Sequence, residues 1–144
     1  MSGYARGQVL EAASGLLMTR AGLLVAGFRR WKTAVEWLTP VTVTESSPEQ
    51  LEIDFARALE RRLFSAARHL PLGTNCLDQS MTLWWMLRRR GIAGELRFGA
   101  RKGEARFEAH AWVELGETAL DANPGAGNFT KFEPVRIATE TRAR

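Results

Sequence analysis

Three residues able to carry acyl-transfer chemistry stand in order along the second half of the chain: Cys76 in "GTNCLDQS", His110 in "EAHAWVEL" and Asp121 in "TALDANPG". A thiolate attacks a carbonyl carbon when a base takes its proton and a third group orients that base. Cys76 is the only cysteine, and Thr74 or Asn75 just before it can cap a helix. Leu77, Met81, Trp84 and Leu87 then recur at helical spacing, so the thiol falls in a first turn. Unpaired N–H groups and the helix dipole favour the thiolate at such a position. Of the two histidines, His69 in "AARHLPLG" reads as a helix-end residue, whereas His110 sits mid-strand.

Strand arithmetic connects His110 to Asp121. A two-residue loop at Gly116-Glu117 sets Leu115 opposite Thr118 and Val113 opposite Leu120. The same register sets Trp112 opposite Asp121 and His110 opposite Asn123. Directly opposed residues share a face, so His110, Trp112, Asp121 and Asn123 are expected on one side and Ala111, Val113, Leu120 and Ala122 on the other. An odd loop would destroy this arrangement. Asp121 is a diagonal neighbour of His110 and Asn123 a direct one, which makes both candidates for orienting the imidazole. Spacing fits a second reading equally: a buried inert thiol, a satisfied core histidine and a turn-flanking acid. One cysteine and two distant histidines lack the spacing of a metal site. "GARKG" lacks the glycine spacing and the Lys-Ser/Thr pair of a phosphate loop.

The elements that must hold these residues are helices first and strands afterwards. The pattern predicts a helix over 4–20 and another over 23–38 with Leu24, Phe28, Trp31, Val35 and Leu38 on one face, Gly22 breaking the two. Pro40 ends that run, and "TVTESS" reads as a linker. Ser47-Pro48-Glu49-Gln50 predicts a third helix, with Leu51, Phe55, Leu59 and Leu63 inward and a stop before Pro71. The helix of Cys76 ends at Arg88-Arg89-Arg90 and Gly91. Adjacent Trp84 and Trp85 face different directions; one is expected in the core, and the other near the surface or along a groove. From "ELRFGAR" onward the period is two, with turns at Lys102-Gly103 and Gly116-Glu117. The fold class is α+β.

A chain of 144 residues with 45% hydrophobic and 25% charged residues fits one soluble domain. A lone cysteine excludes an internal disulfide and fits a reducing cytoplasmic compartment. Arg6, Glu11 and Arg20 interrupt the apolar N-terminus, so neither a signal peptide nor a transmembrane segment is expected. Helix-end complementarity accounts for the arginine triplet without nucleic acid.

"NCLDQSMTLWWMLRRRGIAGELRFGAR" followed by "FEAHAWVELGETALD" resembles the transglutaminase-like cysteine peptidase domain of lasso-peptide biosynthesis proteins. The likeness runs from about Leu70 to Asp121. It covers a Cys-Leu pair opening a helix, a basic helix end before Gly-Ile, a Leu-Arg-aromatic-Gly strand, and a His-Ala-Trp-Val-Glu strand followed by Asp. The N-terminal helical pattern is similar to the family's lead-in. The resemblance implies an N-terminal helical region over 1–45 and, over 46–144, a papain-like core in which a catalytic helix packs on an antiparallel sheet. It implies Cys76 as nucleophile, His110 as general base and acid, and Asp121 as orienter, with no cofactor. The implied substrate is a ribosomal precursor peptide whose leader is removed before a macrolactam-forming cyclase acts. With no residues left over for a recognition domain, the likeness is to the stand-alone peptidase, which implies a separate leader-binding protein. The Cys76 N–H and Asn75 are candidate oxyanion donors, and Trp112 is a candidate groove wall. Asp78 would oppose the thiolate if it faced the sulfur. Deamidation or another peptide acyl transfer, and a non-catalytic peptide-binding module, are the alternatives.

Overall fold

The computed structural model describes residues 3–39, 48–71, 75–102, 107–120 and 130–131. Four helices precede four strands: α1 (Gly3–Val25), α2 (Phe28–Leu38), α3 (Gln50–His69), α4 (Cys76–Arg88), β1 (Glu95–Lys102), β2 (Phe107–Leu115), β3 (Thr118–Leu120) and β4 (Thr130–Lys131). The sheet is antiparallel in the order β3-β2-β1-β4. The α+β expectation is met.

The helix boundaries differ from the sequence pattern in two places, the α1–α2 break and the start of α3. The break between the first two helices falls at Gly27, whose φ of 84° suits glycine, and not at Gly22. Gly22 is instead a packing position inside α1, since a Cβ there would lie 2.3 Å from the Trp31 ring. Leu24 therefore belongs to α1, where it is 78% exposed, while Trp31 and Val35 of α2 turn inward. Helix α3 starts at Gln50 with Glu49 as its cap, later than the Ser47-Pro48 start; Ser47 lies outside the described residues. Leu51 is accordingly 77% exposed, and Ala56, Leu59, Leu63 and Ala66 form the buried stripe.

One core joins the helices to the sheet. Leu16, Val35, Leu59, Leu63, Met81, Leu87, Leu96, Val113, Leu115 and Leu120 belong to it. Alternation along β1 and β2 puts Leu96, Phe98, Ala111, Val113 and Leu115 on the helix-facing side. Phe98 meets Phe28 edge-on at 5.5 Å, and Val113 and Leu87 both approach Gly94. Helix α1 runs antiparallel to α4: Glu11 bonds Arg90 near one end, and Arg20 bonds Asp78 near the other.

The three arginines at the end of α4 are all engaged, Arg88 by Thr39 and the other two by a shared carboxylate. Arg88 donates to the Thr39 carbonyl at 2.7 Å and to Thr39 Oγ1, supplying donors at the C-terminus of α2. Arg89 and Arg90 clamp Glu11. Gly91, at φ 75°, then lets the Ile92 N–H return to the Leu87 carbonyl, a helix stop that favours glycine.

Candidate active site

Cys76 is the first residue of α4 and is half-buried. A reciprocal capping box forms the mouth of that helix: the Asp78 N–H donates to Asn75 Oδ1 at 2.9 Å, and the Asn75 N–H donates to Asp78 Oδ2 at 3.2 Å. The Gln79 N–H bonds the Asn75 carbonyl. The cap uses the N–H groups of Asn75 and Asp78, and among the described residues no partner holds the Cys76 N–H, which could therefore meet an oxyanion formed there. Asn75 Oδ1 is committed to the cap; only the side-chain NH2 of Asn75 could serve as a donor.

Asp78 does not oppose the thiol as an unpaired charge. It is buried and ion-paired with Arg20 at 3.1 Å, and its Oδ2 also accepts the Asn75 N–H. The sequence pattern gave no sign of Arg20 in this role, because a pair separated by 58 positions leaves no local signature.

The β2–β3 hairpin has the register expected from the two-residue loop. Leu115 pairs with Thr118, Glu114 with Ala119 and Val113 with Leu120. Gly116 takes φ 62° while Glu117 keeps a negative φ, so only the first loop position needs glycine. His110 and Trp112 share a strand face and stack, with ring centroids 5.7 Å apart and planes 20° from parallel. Trp112 is 2% exposed and donates through Nε1 to Glu114 Oε1 at 3.2 Å. Arg97 on β1 donates to Glu114 Oε2 at 3.1 Å and pairs with Glu95. This chain of contacts fixes the indole against which the imidazole lies. Asp121 and Asn123 lie outside the described residues.

Cys76 and His110 line one cavity of about 350 Å³. Its apolar wall is Leu63 and Phe64 of α3, Leu83 of α4, and Ala111, Trp112 and Leu120 of the sheet; Gln79 and Ser80 add polar atoms. The cavity takes His110 and Trp112 from one side of β2 and Ala111 from the other, beside the end of the described part of β3. Trp112 thus lines the cavity. Neither Trp84 nor Trp85 lines the cavity: Trp84 is buried and donates to the Gly94 carbonyl, and Trp85 packs edge-on against Trp31. His69 is exposed at the end of α3, with Nδ1 2.6 Å from the Ser65 carbonyl, away from this cavity. Leu63 was legible only as a helix-stripe residue and Phe64 lay outside that stripe; nothing local marks either as lining a site. Among the described residues, no cluster of His, Cys, Asp or Glu could hold a metal ion. No helix among them is long and apolar enough to cross a membrane.

A small half-buried cavity that holds a helix-mouth thiol and a strand imidazole has the parts for cysteine-mediated acyl transfer. The family model of the transglutaminase-like superfamily matches residues 16–136, and the chain belongs to that superfamily. Membership suggests activity of the cysteine-protease or acyltransferase type. No curated protein and no solved structure matches the chain.

Proposed function

We propose that the protein is a cysteine endopeptidase that removes the leader from a lasso-peptide precursor. The observation that carries the chemistry is the shared cavity of Cys76 and His110. His110 takes the Cys76 proton, the thiolate attacks the scissile carbonyl, and the Cys76 N–H meets the oxyanion. The C–N bond breaks as His110 returns the proton to the leaving amine. Water, deprotonated by His110, then attacks the thioester, releases the leader as a carboxylic acid and restores the thiol. Asp121 orients His110. The even hairpin loop supports this role, because a ladder continued by one residue puts position 121 on the side of Trp112 and His110.

The substrate class rests on the likeness of "NCLDQSMTLWWMLRRRG" and "EAHAWVEL" to lasso leader peptidases. On that reading the protein works in the cytoplasm with a separate leader-binding protein, which raises the effective concentration of the leader at the cavity. A macrolactam-forming cyclase takes the released core. The test is mass spectrometry of a synthetic lasso-type precursor incubated with the protein, with and without a leader-binding protein. Two fragments whose masses sum to the precursor plus one water support peptidase action. A precursor heavier by about one mass unit would make the protein a deamidase. An unchanged precursor under all conditions would refute the reading.

A further inference from the structure

We propose that Arg20 of α1 is a positioning residue for the nucleophile, neutralising Asp78 and latching α1 onto the mouth of α4. The proposal rests on the reading of Cys76 as nucleophile. Asp78 is two residues from Cys76 and its side chain is 4% exposed. A carboxylate at a helix mouth strengthens the cap, yet as a net charge two residues from the thiol it disfavours the thiolate. The sequence needs the first effect without the second. Arg20 Nη1 at 3.1 Å from Asp78 Oδ2 separates them: the oxygen that accepts the Asn75 N–H at 3.2 Å also carries the guanidinium.

The contact is part of a built seam. Thr82 Oγ1 donates to the Asp78 carbonyl at 2.7 Å and lies 3.0 Å from Thr19 Oγ1, with both threonines fully buried. Gly15 lets the helices approach, since a Cβ there would lie 2.9 Å from Thr82 Cγ2. Positions 15, 19 and 20 of α1 therefore seat on the first two turns of α4. Among the described residues, His110 from β2 lines the cavity with Cys76, Asp78 lies two residues on in its own helix paired with Arg20 from α1, and Glu60 is the buried carboxylate of α3. Leu63 and Phe64 from α3, and Leu120 from β3, line the cavity with apolar side chains.

The test is the pH dependence of iodoacetamide labelling of the full chain, whose single cysteine makes every label report Cys76. Arg20→Met is expected to raise the labelling midpoint by about one pH unit. Arg20→Lys should recover most of that change, and Arg20→Met combined with Asp78→Asn should recover all of it, because the opposing charge is gone. Asp78→Asn alone keeps an acceptor for the cap and leaves Arg20 positive, so its midpoint should fall below that of the parent. A folded Arg20→Met protein with an unmoved midpoint would overturn the proposal. So would a higher midpoint in Asp78→Asn, which is the deciding variant if Arg20→Met does not fold. Labelling requires no peptide, so a moved midpoint in a protein that cleaves nothing would refute the peptidase reading and leave this coupling standing.

Discussion

Replacing Trp112 separates its two jobs, filling the sheet face and holding His110. The indole is 2% exposed, stacks on His110 at 5.7 Å and donates to Glu114. Trp112→Phe keeps a ring for the imidazole and removes the N–H. One buried acceptor bond is lost while Glu114 keeps Arg97, so the expected destabilisation is about 1 kcal/mol. Trp112→Leu removes the ring as well. An aromatic pair contributes roughly 0.5–1.5 kcal/mol beyond area burial. If that energy holds the working orientation of His110, its loss lowers kcat by about 2- to 13-fold at constant chemistry. Smaller volume adds a cavity cost, bringing the total for Trp112→Leu to about 2–4 kcal/mol. The assay is urea unfolding for stability, and peptide cleavage followed by mass spectrometry at temperatures where each variant is folded. The expected order of kcat is Trp112, then Phe close behind, then Leu. Equal kcat in a folded Trp112→Leu variant would refute the idea that the stack orients His110. A kcat in the Phe variant as low as in the Leu variant would shift the role to the Nε1–Glu114 bond.

The Glu11 clamp gives a pH-dependent stability. The hydrogen bond from Arg90 holds the Glu11 carboxyl below its ordinary value of 4.5, helped by the charges of Arg90 and Arg89 and opposed by partial burial. A lowered folded-state value means that the contribution is complete above about pH 4.5 and fades as pH falls through the folded value. Glu11→Gln should therefore cost about 1 kcal/mol at pH 7 and progressively less below pH 4.5, read from urea midpoints; a constant difference down to pH 3 would contradict the clamp. Gly22→Ala should destabilise the chain by about 1–3 kcal/mol by forcing Trp31 off its seat, whereas the usual glycine-to-alanine gain inside a helix would show that α2 packs elsewhere.

Much of the site's frame was legible because it depends on local rules. The two-residue loop fixed the pairing of Val113 with Leu120. The cap residue Asn75 and the stop at Gly91 bounded α4 and put Cys76 at its mouth. What escaped the sequence is long-range. Gly22 reads as a break by composition, but the ring of Trp31 makes it a packing position. The apolar run at 23–38 hides the real turn at Gly27, because Leu24 and Val25 continue a helical pattern while facing solvent. Leu51 follows the stripe of α3 in spacing and still lies exposed, since the buried face there is lined by alanines such as Ala56 and Ala66. The pairing of Asp78 with Arg20, of Arg88 with Thr39 and of Arg89 and Arg90 with Glu11 needs tertiary placement. The proposed orienting role of Asp121 rests on sequence register, as Asp121 and Asn123 both lie outside the described residues.

The central claim is that Cys76 forms an acyl bond with a peptide. The direct measurement is the intact mass of the protein, quenched in acid within the first turnovers on a lasso-type precursor. The expected result is an adduct equal to the N-terminal cleavage product less one water, located on Cys76 by fragmentation, absent from Cys76→Ala, and failing to form when His110 is replaced by Ala. Cleavage by a folded Cys76→Ala protein, or an adduct on any other residue, would contradict it.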